Sequence, residues 1–185
     1  MVQFILGGAR SGKSRYAEGL AQKFEAQGKT VFYIATAQAS VAESVDSVGD
    51  QVDPEMLRRI EQHQADRPQH WQTLETPIKL AERLSGLDHK DHCIMVDCLT
   101  LWTLNLIESE VFQSERSRFL ALLPNLQAEL ILVSNEIGLG VVPMGQLTRT
   151  FVDELGWLHQ DIARVADEVT FVTAGLPMSL KSSIK

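Results

Sequence analysis

Gly7-Gly8-Ala9-Arg10-Ser11-Gly12-Lys13-Ser14 follows the apolar run Val2-Gln3-Phe4-Ile5-Leu6 and precedes a recurrence of Tyr16, Leu20 and Phe24. The octet satisfies G-x-x-x-x-G-K-[ST], with a strand pattern before it and a helix pattern after it. Its glycines let the backbone curl so that N–H groups converge on phosphate oxygens, and the helix start adds a favourable dipole. The pattern predicts that Gly7, Gly8, Ala9, Arg10, Ser11, Gly12, Lys13 and Ser14 bind a nucleoside triphosphate. Lys13 is expected to reach the β- and γ-phosphates, and the Ser14 hydroxyl to ligate Mg²⁺.

Apolar runs at 2–6, 30–35, 93–96, 130–133 and 168–173 read as strands. Most are near-continuously apolar, as expected when helices cover both faces of a sheet. The Tyr16/Leu20/Phe24 stripe is helical, and Gly28 is placed to cap its C-terminus. A second helical stripe, 147–165, runs through Phe151, Leu155, Leu158, Ile162 and Val165. Strands alternating with helices predict a single α/β domain over 1–185, a P-loop NTPase of RecA-like type with a mostly parallel central sheet. The stretch 39–53, rich in Ser, Val and Asp, breaks the rhythm and reads as an exposed loop before a helix starting near Pro54.

A phosphate loop needs a carboxylate near its metal. Cys93-Ile94-Met95-Val96-Asp97 is an apolar strand ending in an acid, so Asp97 is expected beside the metal, with a helical pattern following at 99–106. An acid at a strand end is also an ordinary helix cap.

Seventeen Lys+Arg against twenty-four Asp+Glu in 185 residues give a net charge of −7. That balance disfavours nonspecific binding to nucleic acid or anionic membranes, and so counts against the DNA-dependent motors among P-loop proteins. No guanine-reading Asn-Lys-x-Asp is present. Cys93 and Cys98 are too few for a disulfide scaffold and poorly spaced for zinc, which predicts reduced, buried or semi-buried thiols. The N-terminus lacks the basic start of a signal peptide, and no apolar run reaches the ~20 residues that span a bilayer, so the expected location is the cytoplasm.

Further blocks carry more specific information: Tyr33-Ile34-Ala35-Thr36-Ala37, Arg59-Ile60 through His63 to Arg67-Pro68, and Trp71-x-Thr73-x-Glu75. Val133-Ser134-Asn135-Glu136-Ile137-Gly138-Leu139-Gly140-Val141-Val142-Pro143 and Ala166-Asp167-Glu168-Val169 complete them. By spacing alone, His63 is a partly buried helix residue, Arg67 a solvated helix exit, and His70-Trp71 the start of an edge strand. In this order, however, the blocks resemble the bifunctional adenosylcobinamide kinase / adenosylcobinamide-phosphate guanylyltransferase family of cobalamin biosynthesis, over nearly the whole chain.

The resemblance implies two reactions. The terminal phosphate of ATP or GTP moves to the aminopropanol hydroxyl of adenosylcobinamide. GTP then guanylylates an enzyme histidine, and the substrate phosphate attacks that intermediate to give adenosylcobinamide-GDP. His63 matches the guanylylated position; a neutral imidazole is a competent nucleophile whose phosphoramidate stays reactive. Arg67 is suited to grip phosphate through its planar fork. The resemblance also places Ile34, Ala35, Thr36, Gln64, Ala65, Asp66, Arg67, Glu75 and Asp97 around the nucleotide, against the plain alternative that 34–36 is a strand end packing on the core. Asn135 and Glu136 end another strand, where polar groups face a ligand crevice. It implies a homo-oligomer, a trimer in the family's manner.

Three departures stand out. The 39–53 stretch is longer than the family connection, Gln62 stands where some relatives carry a second histidine, and Gly156-Trp157-Leu158-His159-Gln160 replaces the more usual Gly-Arg-Leu-Asn-Gln. His159 reads as a structural or interface residue. Two other functions stay open at this level: a guanylyltransferase without kinase activity, and a noncatalytic GTP-binding sensor.

Overall fold

A computed structural model describes residues 1–37 and 68–182. The loop expected at 39–53, the helix expected from Pro54, and His63, Gln64, Ala65, Asp66 and Arg67 lie outside the described residues.

The strands are β1 (Val2–Gly7), β2 (Thr30–Ala35), β3 (Gln72–Glu75), β4 (His92–Asp97), β5 (Glu129–Asn135), β6 (Glu168–Thr173) and β7 (Leu176–Lys181). The helices are α1 (Lys13–Ala26), α2 (Leu80–Leu87), α3 (Leu99–Glu108), α4 (Phe112–Leu122) and α5 (Gln146–Val165). One sheet runs in the order β3-β2-β4-β5-β1-β6-β7. All pairings are parallel except β6 with β7.

Alternation along β1 explains the layering, because successive strand residues face opposite sides. Phe4 and Leu6 join the layer that holds Leu99, Trp102 and Leu106 of α3 and Leu155, Leu158 and Ile162 of α5. Ile5 joins the opposite layer, with Ala17 and Ala21 of α1, Tyr33, Met95 and Val133. Both sheet faces are therefore covered by helices, which is why the central strands read as near-continuous apolar runs. Gly28, at φ 90°, donates its N–H to Glu25 O and ends α1 as the sequence predicts. Cys93 and Cys98 are free thiols. Burial pushes them up to about 12 and about 11, so neither is a ready nucleophile.

Among the elements that patterning missed is β7. Leu176-Pro177-Met178-Ser179-Leu180-Lys181 contains a proline, which cannot donate to a ladder and argues against a strand unless the strand is an edge. β7 is that edge, exposed along its length. Its turn takes positive φ at Ala174 and Gly175 (51° and 77°), the backbone a tight hairpin requires. Gly175 N–H donates to Ser11 O at 2.8 Å, so this turn props the phosphate loop from behind.

Candidate nucleotide site

The phosphate loop joins β1 to α1, as predicted. Gly12 caps α1 at φ 93°, with no side chain capping the helix and no acid in its first turn. The first N–H groups of α1 therefore have no internal partner, and its positive end is left to an anion. Lys13 Nζ donates to Gly8 O at 3.2 Å, folding the side chain back over the loop. Burial pulls the Lys13 pKa below its ordinary value, and the negative charge of Asp97 works the other way. Asp97 thus lies close enough to Lys13 to feel its charge across the loop.

The parallel register assembles the rest. Glu75 of β3, Ala35 of β2 and Asp97 of β4 are cross-strand neighbours in one row, and Asn135 of β5 pairs with Gly7. The row lies at the carboxyl ends of the strands, where open α/β sheets bind ligands. Asp97 Oδ2 accepts from Tyr33 Oη at 2.8 Å. Thr36 Oγ1 donates to Cys98 O at 2.7 Å and accepts Cys98 N–H at 3.0 Å, locking the ends of β2 and β4 together. Asn105 of α3 donates to Thr36 O at 2.8 Å and Pro77 O at 3.2 Å, fastening the segments that follow β2 and β3.

These contacts divide the expected nucleotide residues. Glu75 and Asp97 stand at the carboxyl ends of their strands with Ala35 in the same row, and Lys13 and Ser14 open α1. Ile34 is wholly buried in the core layer, so the plain reading of a packed strand end holds for its side chain. Thr36 is wholly buried, with its hydroxyl committed to Cys98. His70 and Trp71 precede the edge strand β3, and both bond Glu25 of α1, at 2.6 and 3.0 Å.

Sequence reasoning gave His159 a structural place, and it is indeed buried, edge-on to Phe4 at 5.4 Å between centroids. What it missed is that His159 belongs to the site's scaffold. His159 Nε2 lies 2.8 Å from Ser134 Oγ, which lies 3.1 Å from Thr100 Oγ1, which accepts the Asn135 N–H at 2.8 Å. The only sequence signal was a polar residue on the apolar stripe of α5.

The site residues suit a magnesium ion. Ser14 and Asp97 offer oxygen donors, and no cluster of three His, Cys, Asp or Glu side chains occurs among the described residues. Mg²⁺ takes oxygen ligands, keeps several waters, and is typically held by one or two carboxylates with substrate phosphates rather than by an all-protein cage.

The model of the cobinamide kinase / cobinamide phosphate guanyltransferase family matches residues 3–180. The chain belongs to that family. Over 184 residues it is 51% identical to the bifunctional adenosylcobalamin biosynthesis protein CobP of Pseudomonas aeruginosa, covering 98% of both chains. It is 32% identical to the bifunctional adenosylcobalamin biosynthesis protein CobU of Escherichia coli, covering 98% of this chain and all of that one. Among solved structures, the flagellar accessory protein FlaH of Methanocaldococcus jannaschii matches with a TM-score of 0.51 over 98% of this chain and 78% of its own. At 14% identity that likeness shows the fold alone, an α/β domain with a mostly parallel sheet.

Proposed function

We propose that this chain phosphorylates adenosylcobinamide with ATP or GTP and then transfers GMP from GTP, through a guanylyl-histidine at His63, to adenosylcobinamide phosphate. What carries the reading is the match along 98% of both chains to a relative named as bifunctional. The complete phosphate loop and the acids at the strand ends support it.

Each step moves a phosphorus group, and negative charge on its nonbridging oxygens must be met by fixed donors. The loop amides and the start of α1 bind the triphosphate chain, and Lys13 neutralises it. Ser14 and Asp97 would hold Mg²⁺, which when bound would supply charge neutralisation at the phosphates. Arg67 grips the phosphate near His63, and Glu75 accepts from the N1–H and 2-amino edge of guanine. Gly7, Gly8, Ala9, Arg10, Ser11, Gly12, Ala35, Gln64, Ala65 and Asp66 line the remainder, with Ile34 and Thr36 acting through backbone. All of this belongs to one domain over 1–185.

The test is mass spectrometry after incubation with α-labelled GTP and Mg²⁺. An acid-labile, alkali-stable GMP adduct is expected on His63 and absent from His63→Ala. Label on another residue, or none while GTP binds, would refute the assignment.

No helix among the described residues is long and apolar enough to cross a membrane. Free cysteines suit a reducing compartment, and we place the protein in the cytoplasm. We also assign it a homo-oligomer, a trimer in the family's manner. Leu139, Val141, Val142 and Met144 are 74–97% exposed in one short segment, the kind of surface that partners cover. Light scattering that returns the mass of one chain would remove this assignment.

A further inference from the structure

Glu136 directly follows β5, and its N–H donates to Gly7 O, the first residue of the phosphate loop, at 3.0 Å. Its carboxylate is held through one oxygen and faces an imidazole with the other. Oε1 accepts the Gly138 N–H at 2.6 Å, and Oε2 faces His159 Nδ1 at 3.7 Å. The Glu136 side chain keeps 22% of its surface exposed, whereas His159 keeps 8%. A carboxylate anchored to the phosphate loop and open to solvent, with a buried imidazole behind it, is a geometry for proton transfer.

The ring's tautomer follows from its neighbours. A carboxylate only accepts, so the nitrogen facing it, Nδ1, carries the hydrogen. Nε2 is then an acceptor, and Ser134 Oγ–H donates to it at 2.8 Å. Ser134 Oγ can in turn accept from Thr100 Oγ1 at 3.1 Å. This order requires a neutral ring. Burial supplies it, pushing His159 down to about 4 against the opposing pull of Glu136.

We infer that Glu136 is the base that takes the proton from the acceptor hydroxyl during phosphate transfer, and that His159 is the positioning residue that aims it. The inference rests on the proposed kinase reaction. There, the hydroxyl oxygen forms a bond to the γ-phosphorus as the bond from that phosphorus to the β,γ-bridging oxygen breaks. The hydroxyl proton passes to Glu136 and on to solvent, and the nucleoside diphosphate leaves with the electron pair. Guanylyl transfer differs in chemistry. Its nucleophiles are a neutral imidazole and an already ionised phosphate, and neither requires a base to remove an alcohol proton. The two half-reactions therefore report on Glu136 differently.

The experiment measures both half-reactions on the same preparations, with adenosylcobinamide and ATP for the first and α-labelled GTP adduct formation for the second. Glu136→Gln keeps shape and removes the base; kinase kcat is expected to fall about 100-fold or more, with KM little changed and adduct formation within about threefold of wild type. His159→Asn places an amide N–H where Nδ1 stands, and His159→Leu fills the same space with a methyl. Both lose the contact to Ser134, so they differ in the donor facing Glu136. His159→Leu is expected to lower kinase kcat about tenfold, and His159→Asn to restore it to within about threefold of wild type. Equal kinase rates in the Leu and Asn variants, or parallel loss of both half-reactions, would assign His159 a purely structural role and overturn its part. A Glu136→Gln enzyme with wild-type kcat would overturn the base. A wild-type protein that forms the GMP adduct but phosphorylates no adenosylcobinamide would instead overturn the proposed kinase reaction, and the inference with it.

Discussion

Lys13→Ala is expected to lower phosphate-transfer kcat by about 100- to 1,000-fold, the scale lost when one fixed donor is removed from developing phosphoryl charge. Its stability should not fall with it. Burial lowers the Lys13 pKa below its ordinary 10.5. A base whose folded pKa is depressed opposes folding at every pH below that folded value, and the opposition vanishes only as pH rises past 10.5. At neutral pH the alanine variant sheds that penalty, so its Tm should match or exceed wild type. Steady-state kinetics and thermal unfolding of the same sample check both halves. Wild-type turnover would contradict the proposed role of the loop, and a large drop in Tm would make Lys13 a structural residue.

Gly7→Ala is expected to damage fold and site together. A Cβ there would stand 2.4 Å from Val172 O and 2.5 Å from Ser11 Oγ. The serine can rotate away, but Val172 O is backbone of β6, paired in register with Gly7. The strand pair must open or the loop must shift, and overpacking of this kind costs about 3 kcal/mol. Gly8 is the control, since a Cβ there meets nothing within 4 Å. Gly8→Ala should stay within about 0.5 kcal/mol of wild type, as surface substitutions do. Urea unfolding of the two variants decides the matter. Equal stability would mean that the close approach of β6 to the loop does not constrain residue 7.

The same comparison shows how the motif relates to the fold. Its two defining glycines, Gly7 and Gly12, are demanded by tertiary neighbours as well as by phosphate. Gly12 needs its positive φ and lies against Gly175, where an added Cβ would stand 3.2 Å from Cα. The adjacent Gly8, outside the defining pair, faces open space.

Residues whose neighbours are close in sequence, or whose strands are buried on both faces, were legible without a structure. The loop between β1 and α1, the acid ending β4 and the helical stripe of α5 all have local signatures, namely glycine spacing, an apolar run and a 3.6-residue period. Local pattern failed at β7, where Pro177 argues against a strand, and at α4, whose buried face includes the charged Glu115. It also left open whether the side chains of Ile34 and Thr36 face the crevice or the core, and both are buried. Whether a strand-end side chain turns to the crevice or to the core depends on the strand beside it, here β4.

What the sequence determined by itself is therefore the phosphate loop, the alternating α/β plan and, through the family blocks, the kind of reaction to expect. Tertiary structure alone decided which polar groups meet. Tyr33 and Asp97 are 64 positions apart, and Ser134 and His159 are 25 apart. The chain Thr100–Ser134–His159–Glu136 exists because β5 lies between β1 and β4 with α5 packed across its face. Periodicity reports which face of an element is apolar; it carries no information on which polar group from a distant element will stand opposite.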